Sequence, residues 1–295
     1  MIDRAGRFAP SPTGPLHLGS LVAALGSCLD ARHRGARWLV RIEDLDTARV
    51  VAGAADRILL TLDAFGFEWD GPVVQQSQRL ALYQGRINEL RDRGLLFHCA
   101  CSRAAIAASA LQEPRCIGNC RRRSLPSVGN SLRVALDSLP PSSTIDRSLG
   151  RVQFEPAQHA DLVICRRDGV TAYHLAVVVD DADQDVTDVV RGADLLASTP
   201  WQIGLHCAMG LRMPDYLHLP VVTEPDGSKM AKTSRALPLD AAAAPRLLVQ
   251  ALLLLRQFPP NGLERASISE IWAWSRMHWD AQTLRGIESS AAVGS

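Results

Sequence analysis

The stretch Arg7-Phe8-Ala9-Pro10-Ser11-Pro12-Thr13-Gly14-Pro15-Leu16-His17-Leu18-Gly19-Ser20 combines prolines, glycines and a histidine in the pattern of a loop that opens a helix. Such a loop offers free backbone N–H groups and the positive end of the helix dipole, which suits a nucleotide triphosphate. Gly14 and Gly19 let the backbone approach phosphates without an intervening side chain, and His17 adds a donor for phosphate oxygens. Far downstream, Lys229-Met230-Ala231-Lys232-Thr233 supplies two cations. A third cluster carries a different chemistry. Cys99 and Cys101, then Cys116 and Cys120, form two close pairs across a short loop, a spacing that can fold four thiolates around tetrahedral zinc. Four reduced structural thiols are the alternative.

The elements that must position these groups follow from periodicity. Leu18, Val22, Leu25 and Leu29 share one helical face ending near Gly35. Trp38 to Ile42 then reads as a buried strand, with Glu43-Asp44-Leu45-Asp46 at its carboxyl end, where ligand sites of open α/β sheets lie. Ile58, Leu59, Leu62 and Phe65 mark a second amphipathic helix, and Leu80, Tyr83, Ile87 and Leu90 a third. Strand-loop-helix alternation of this kind favours a parallel sheet. From Leu96 to about Pro156 regular periodicity gives way to cysteines, prolines, serines and arginines, the signature of an insertion. Alternation resumes at Leu162 to Cys165 and Val186 to Val190, whereas Ala176 to Val179 is short enough to be either strand or buried helix. Helices are expected over Ala241 to Leu255 and Ser267 to Met277, and a frayed end over Ser289 to Ser295.

Charge is balanced, with 32 Lys+Arg against 31 Asp+Glu, so a nucleic-acid footprint would have to be a local patch. Arg103, Arg115 and Arg121 to Arg123 gather around the cysteines, either as a solvated face or as phosphate contacts. No run approaches the roughly 18 apolar residues of a membrane span, and the segment before Arg7 leaves no room for a signal peptide. A cytoplasmic protein without a membrane anchor is the expectation. Cys28, Cys165 and Cys207 lie on apolar segments and are expected in the core.

The two phosphate-facing segments together resemble the ATP-binding signatures of class I aminoacyl-tRNA synthetases, and the Arg-Phe-Ala-Pro-Ser-Pro-Thr-Gly lead-in narrows the resemblance to the glutamyl/glutaminyl branch. The lysine loop departs from the usual pattern, since Ala231 and Thr233 stand where serines are common. The resemblance implies a Rossmann-like, doubly wound parallel sheet (α/β) with a zinc-containing insertion and a short helical C-terminal region. The boundaries expected are 1–95 and 157–234 for the halves of the nucleotide-binding domain, 96–156 for the insertion and 235–295 for the helical region. It also implies roles. His17 and Lys232 are the catalytic pair; His17, Gly19, Ser20, Lys229 and Lys232 hold ATP, as Mg-ATP. Arg7, Phe8, Ala9, Pro10, Ser11, Glu43, Tyr173 and Arg191 form the glutamate pocket, with the arginines facing the two carboxylates and Glu43 the ammonium. Which arginine takes which carboxylate stays open.

Only about sixty residues follow Thr233, near the lower limit for an independent domain. That brevity and the cysteine placement resemble the glutamyl-queuosine tRNA(Asp) synthetase family, whose members move activated glutamate onto queuosine in the anticodon loop. In that family a tyrosine stands four residues before the last cysteine; here Cys116 takes its place, completing a Cys₄ set for zinc. The partners implied are glutamate and the queuosine-bearing anticodon loop of tRNA(Asp), with no stable protein partner and a monomeric chain. The alternatives are a short glutamyl-tRNA synthetase charging the 3′ end of tRNA(Glu), a non-catalytic RNA-binding paralogue, and a nucleotidyltransferase making a small-molecule adenylate.

Overall fold

The structure, a computed structural model, describes residues 3–107, 116–156, 158–159, 161–223 and 238–291. Lys229, Lys232 and Arg115 lie outside the described residues.

The first half alternates as its periodicity predicts: β1 (Ala5–Phe8), α1 (Leu18–His33), β2 (Arg37–Ile42), α2 (Ala54–Ala64), β3 (Val74–Gln75) and α3 (Leu80–Asp92). Trp38, Val40 and Ile42 are fully buried, as parallel strands covered by helices require. Close approach of α1 to the sheet depends on a missing side chain, because a Cβ on Gly6 would sit 3.2 Å from that of Ala31. The chain then forms β4 (Leu96–Cys99), α4 (Arg103–Ala107), β5 (Ser131–Ala135), β6 (Ser142–Asp146), β7 (Gly150–Phe154) and β8 (Asp161–Cys165). It continues through α5 (Tyr173–Asp183), β9 (Asp188–Gly192), α6 (Thr199–Met209), β10 (Asp215–Leu219) and β11 (Val221–Thr223). Last come α7 (Ala244–Leu254), α8 (Ile268–His278) and β12 (Ser289–Ala291).

A seven-stranded sheet runs in the order β3-β2-β1-β9-β10-β6-β7, parallel except for the antiparallel β6-β7 hairpin at its edge. A separate antiparallel sheet, β4-β5-β8, carries the cysteines beside it. Within the segment 96–156, β6 and β7 therefore belong to the large sheet. Their Ser/Arg-rich composition reflects an edge hairpin with one solvated face, alternating exposed and buried along β6 and β7. Ala176 to Val179 is helical: it is the buried face of α5, whose Leu175 to Val179 are all packed in the core. Ser267 caps α8 in a capping box with Glu270. The expected fraying of 289–295 is not seen over Ser289–Ala291, which pairs in parallel with β11. Cys28 is buried, but Cys165 and Cys207 are only partly so. Among the described residues, no helix is long and apolar enough to cross a membrane.

Candidate active site

The sheet order explains why distant residues meet. Neighbouring parallel strands β2, β1 and β9 deliver Arg41, Arg7 and Arg191, and Glu43 follows β2 directly. Helix α5 lies behind them and contributes two buried carboxylates. Asp181 accepts from Arg7 Nε at 3.1 Å and from Arg41 Nη2 at 2.7 Å. Asp180 accepts from Gln76 and Arg79 at 2.7 Å each and from the Tyr83 hydroxyl at 2.8 Å. Arg7 also reaches the Val190 carbonyl at 3.4 Å. Glu43 is different: its Oε1 is buried without a hydrogen-bond partner. Burial pushes its carboxyl up to about 7 against the pull of Arg41 and Arg7.

Arg191 is 5% exposed, and its side-chain hydrogen-bond partners are neutral groups. Its Nη2 donates to Thr199 Oγ1 at 2.8 Å, its Nε to His218 Nε2 at 3.2 Å, and its Nη1 lies 3.5 Å from the Tyr173 hydroxyl. The guanidinium also sits 5.4 Å over the Tyr216 ring. Asp188, three residues before Arg191, is engaged by Arg4 and Arg34 at 2.8 and 3.0 Å. Among the described residues no carboxylate lies within salt-bridge distance of Arg191, so a buried cation is left without a counter-charge. Burial raises the Tyr173 hydroxyl and lowers neighbouring His174 to about 4, so both are neutral near pH 7.

The Arg7–Ser20 loop runs from β1 to the start of α1. Phe8 is buried and stacks on Trp38, and the Pro10 carbonyl accepts from Glu43 N at 3.0 Å, tying the loop to the end of β2. His17 is the N-cap of α1, and its Nδ1 accepts from Ser20 N at 3.3 Å, which leaves Nε2 as the protonated nitrogen of a neutral ring. Gly19 makes room for that ring, since a Cβ there would lie 3.1 Å from His17 Cε1. Ser11, Glu43 and Tyr173 line one cleft of about 1270 Å³, whose lining also includes Cys101. Sequence reasoning missed Arg41, Asp181, Thr199 and His218. The signal available was a charged or polar residue set within an apolar strand or helix, as in Leu39-Val40-Arg41-Ile42 and Leu217-His218-Leu219.

The four cysteine sulfurs lie within 4.8 Å of one another, and Cys101 Sγ is 3.9 Å from those of both Cys116 and Cys120. Zinc–thiolate bonds of about 2.3 Å in a tetrahedron set sulfurs roughly 3.8 Å apart, so the donor set fits that ion. Burial works against the Cys101 thiolate, yet the N–H groups of Ile117 and Gly118 bring its pKa below the ordinary value. A side chain at Gly118 would intrude to 3.2 Å from Cys101 Sγ. Asp161, at the start of β8, accepts from Cys116 N at 3.0 Å and from Arg121 at 2.5 Å, fastening the cluster to its sheet.

Residues 5–284 match the family model described as tRNA synthetases class I (E and Q), catalytic domain. The chain belongs to this class I synthetase family. Among its relatives, a glutamyl-Q tRNA(Asp) synthetase of Dechloromonas aromatica (strain RCB) is 51% identical over 93% of this chain and 93% of its own length. One of Ectopseudomonas mendocina (strain ymp) is 49% identical over 95% and 94%. Class I membership also accounts for the sheet. A glutamate tRNA ligase from Elizabethkingia meningosepticum CCUG26117 superposes with a TM-score of 0.79 at 24% identity, covering 99% of this chain and 67% of that one. At that identity the likeness is one of overall fold.

Proposed function

We propose that this chain activates glutamate with Mg-ATP and transfers it to the queuosine base in the anticodon loop of tRNA(Asp). The observation that carries the reading is a pair of unmet charges: Arg191, a buried cation among neutral partners, and Glu43, a buried carboxylate whose Oε1 has no donor. Glutamate brings the complement, carboxylates for Arg191 and Arg7 and an ammonium for Glu43, and Glu43, Tyr173 and Ser11 line one cleft. The relatives, glutamyl-Q tRNA(Asp) synthetases, support the same substrates.

The glutamate α-carboxylate attacks the α-phosphorus of ATP, forming glutamyl-adenylate as the bond to pyrophosphate breaks. His17, from the start of α1, and Lys229 and Lys232 oppose the charge that grows on the leaving phosphates. A hydroxyl of the queuosine cyclopentene ring then attacks the acyl carbon and AMP departs. Positioning and electrostatics suffice, so no side-chain nucleophile is needed. Cys99, Cys101, Cys116 and Cys120 hold zinc as a structural ion. These substrates put the reaction in the cytoplasm, with the chain acting as a monomer.

The deciding experiment supplies ATP, labelled glutamate and tRNA(Asp) with or without queuosine. Label on the modified base, dependent on queuosine, is expected. Label on a 3′ adenosine, or none with any tRNA, would overturn the assignment.

A further inference from the structure

Strands β9 and β10 pair so that Arg191 and His218 are register partners, with their side chains on one face of the sheet. The contact between them constrains protons. Arg191 Nε can only donate, so His218 Nε2, 3.2 Å away, must accept and cannot carry a hydrogen. The ring proton then belongs on Nδ1, which faces Asp146 Oδ2 at 2.7 Å. Asp146 is an obligate acceptor here: its other oxygen takes Ser148 N, Ser148 Oγ and Leu149 N at 2.9, 2.7 and 2.8 Å, and Oδ2 also takes His218 N at 3.0 Å. Both Asp146 and His218 are fully buried, so no solvent competes for these bonds. Thr199 bridges the same pair, accepting from Arg191 Nη2 and lying 3.2 Å from His218 Nε2.

We infer that Asp146 fixes His218 as the neutral Nδ1–H tautomer and that His218 thereby acts as a positioning residue, setting the plane of the Arg191 guanidinium that receives the amino-acid substrate. This rests on the role given to Arg191 above. The arrangement does two things a simple buried neighbour would not. It supplies an acceptor for Nε, so the Nη edge stays turned towards Tyr173. It also keeps the ring uncharged, so no third positive charge joins Arg191 and Arg7, and an anionic group, rather than an amide, is what the pocket rewards. Burial and Arg191 both disfavour the imidazolium, outweighing the pull of Asp146.

The test combines kinetics and spectroscopy on the full chain. His218→Leu removes the acceptor and should raise the glutamate KM in ATP–pyrophosphate exchange about tenfold, with the ATP KM changed less than about twofold. His218→Gln keeps an acceptor at the ε position and should recover most of that loss, which also covers the case in which the leucine variant fails to fold. Long-range ¹H–¹⁵N spectra of histidine-labelled wild type should show a ring protonated at Nδ1 only, absent from either variant. A protonated Nε2, or a glutamate KM unmoved in both variants, overturns the inference. Absence of glutamate-dependent exchange in the wild type would instead strike the substrate assignment, leaving the tautomer measurement to judge His218 independently.

Discussion

Arg41 Nη2 lies 2.7 Å from Asp181 but 3.6 Å from Glu43, so the nearer carboxylate takes the bond and Glu43 is left with attraction alone. The folded-state pKa of Glu43, about 7, exceeds its ordinary value of 4.5. A raised value means the folded protein holds a proton the unfolded chain has released. The resulting stability is complete below the unfolded pKa and is lost as pH rises through about 7, a swing on the order of 3 kcal/mol. Glu43→Gln does not titrate. It should therefore gain stability relative to wild type between about pH 5 and pH 8, as thermal melts at both would register. Melting curves that shift in parallel would contradict this.

Arg191→Ala removes the unbalanced cation. Its former partners Thr199, His218 and Tyr173 are neutral, so no buried charge is orphaned and the fold should survive. Glutamate-dependent exchange should fall about a hundredfold or more, as expected for losing a charge-assisted contact worth roughly 3 kcal/mol. Circular dichroism checks the fold, and an unchanged exchange rate would remove Arg191 from the pocket.

Elemental analysis of protein purified without added metal should find about one zinc per chain. Cys116→Ser weakens the set that makes this chain's cluster all-thiolate, and should lose metal to a chelator faster than wild type. Stripping the ion should lower the melting temperature by something like 10 °C, because structural zinc contributes directly to folding. A metal-free preparation with full stability and activity would argue for four plain thiols.

Gly19→Ala separates stability from phosphate handling. Alanine favours the helix over glycine by about 1 kcal/mol, which offsets the roughly 1 kcal/mol lost with the His17 cap, so the melting temperature should stay close to that of wild type. The added Cβ, 3.1 Å from His17 Cε1, displaces the ring from its bond to Ser20 N. The ATP KM should rise several-fold while the glutamate KM stays put; equal changes in both would point to general damage.

Much of this was legible in residue order. The Arg7–Ser20 loop, β2 with Glu43 at its end, and the paired cysteines each announce themselves within a short window, where hydrogen bonding, helix capping and thiol spacing are local. What escaped is topological. Asp146 and His218 are 72 residues apart, and Arg41 and Asp181 140 apart; only strand order and the placement of α5 bring them together. Ala176 to Val179 is ambiguous in the sequence because Leu175 to Val179 are consecutive buried apolar residues, a run too short to show a period. The β6-β7 hairpin was hidden for the opposite reason, since an edge ladder with one wet side resembles loop composition.

The crossing of the chain from β5 to the edge hairpin and back to β8 has a bearing on how the protein is made. A nascent chain exposes all four thiols long before Asp161 emerges to clasp Cys116 and Arg121. Early capture of an ion would thus occur on two strands of a three-stranded support, and the cluster would become rigid only once the neighbouring edge had been laid down. Retention of an ion by these thiols would in this way depend on β8, which the chain reaches only after the edge hairpin of the catalytic sheet.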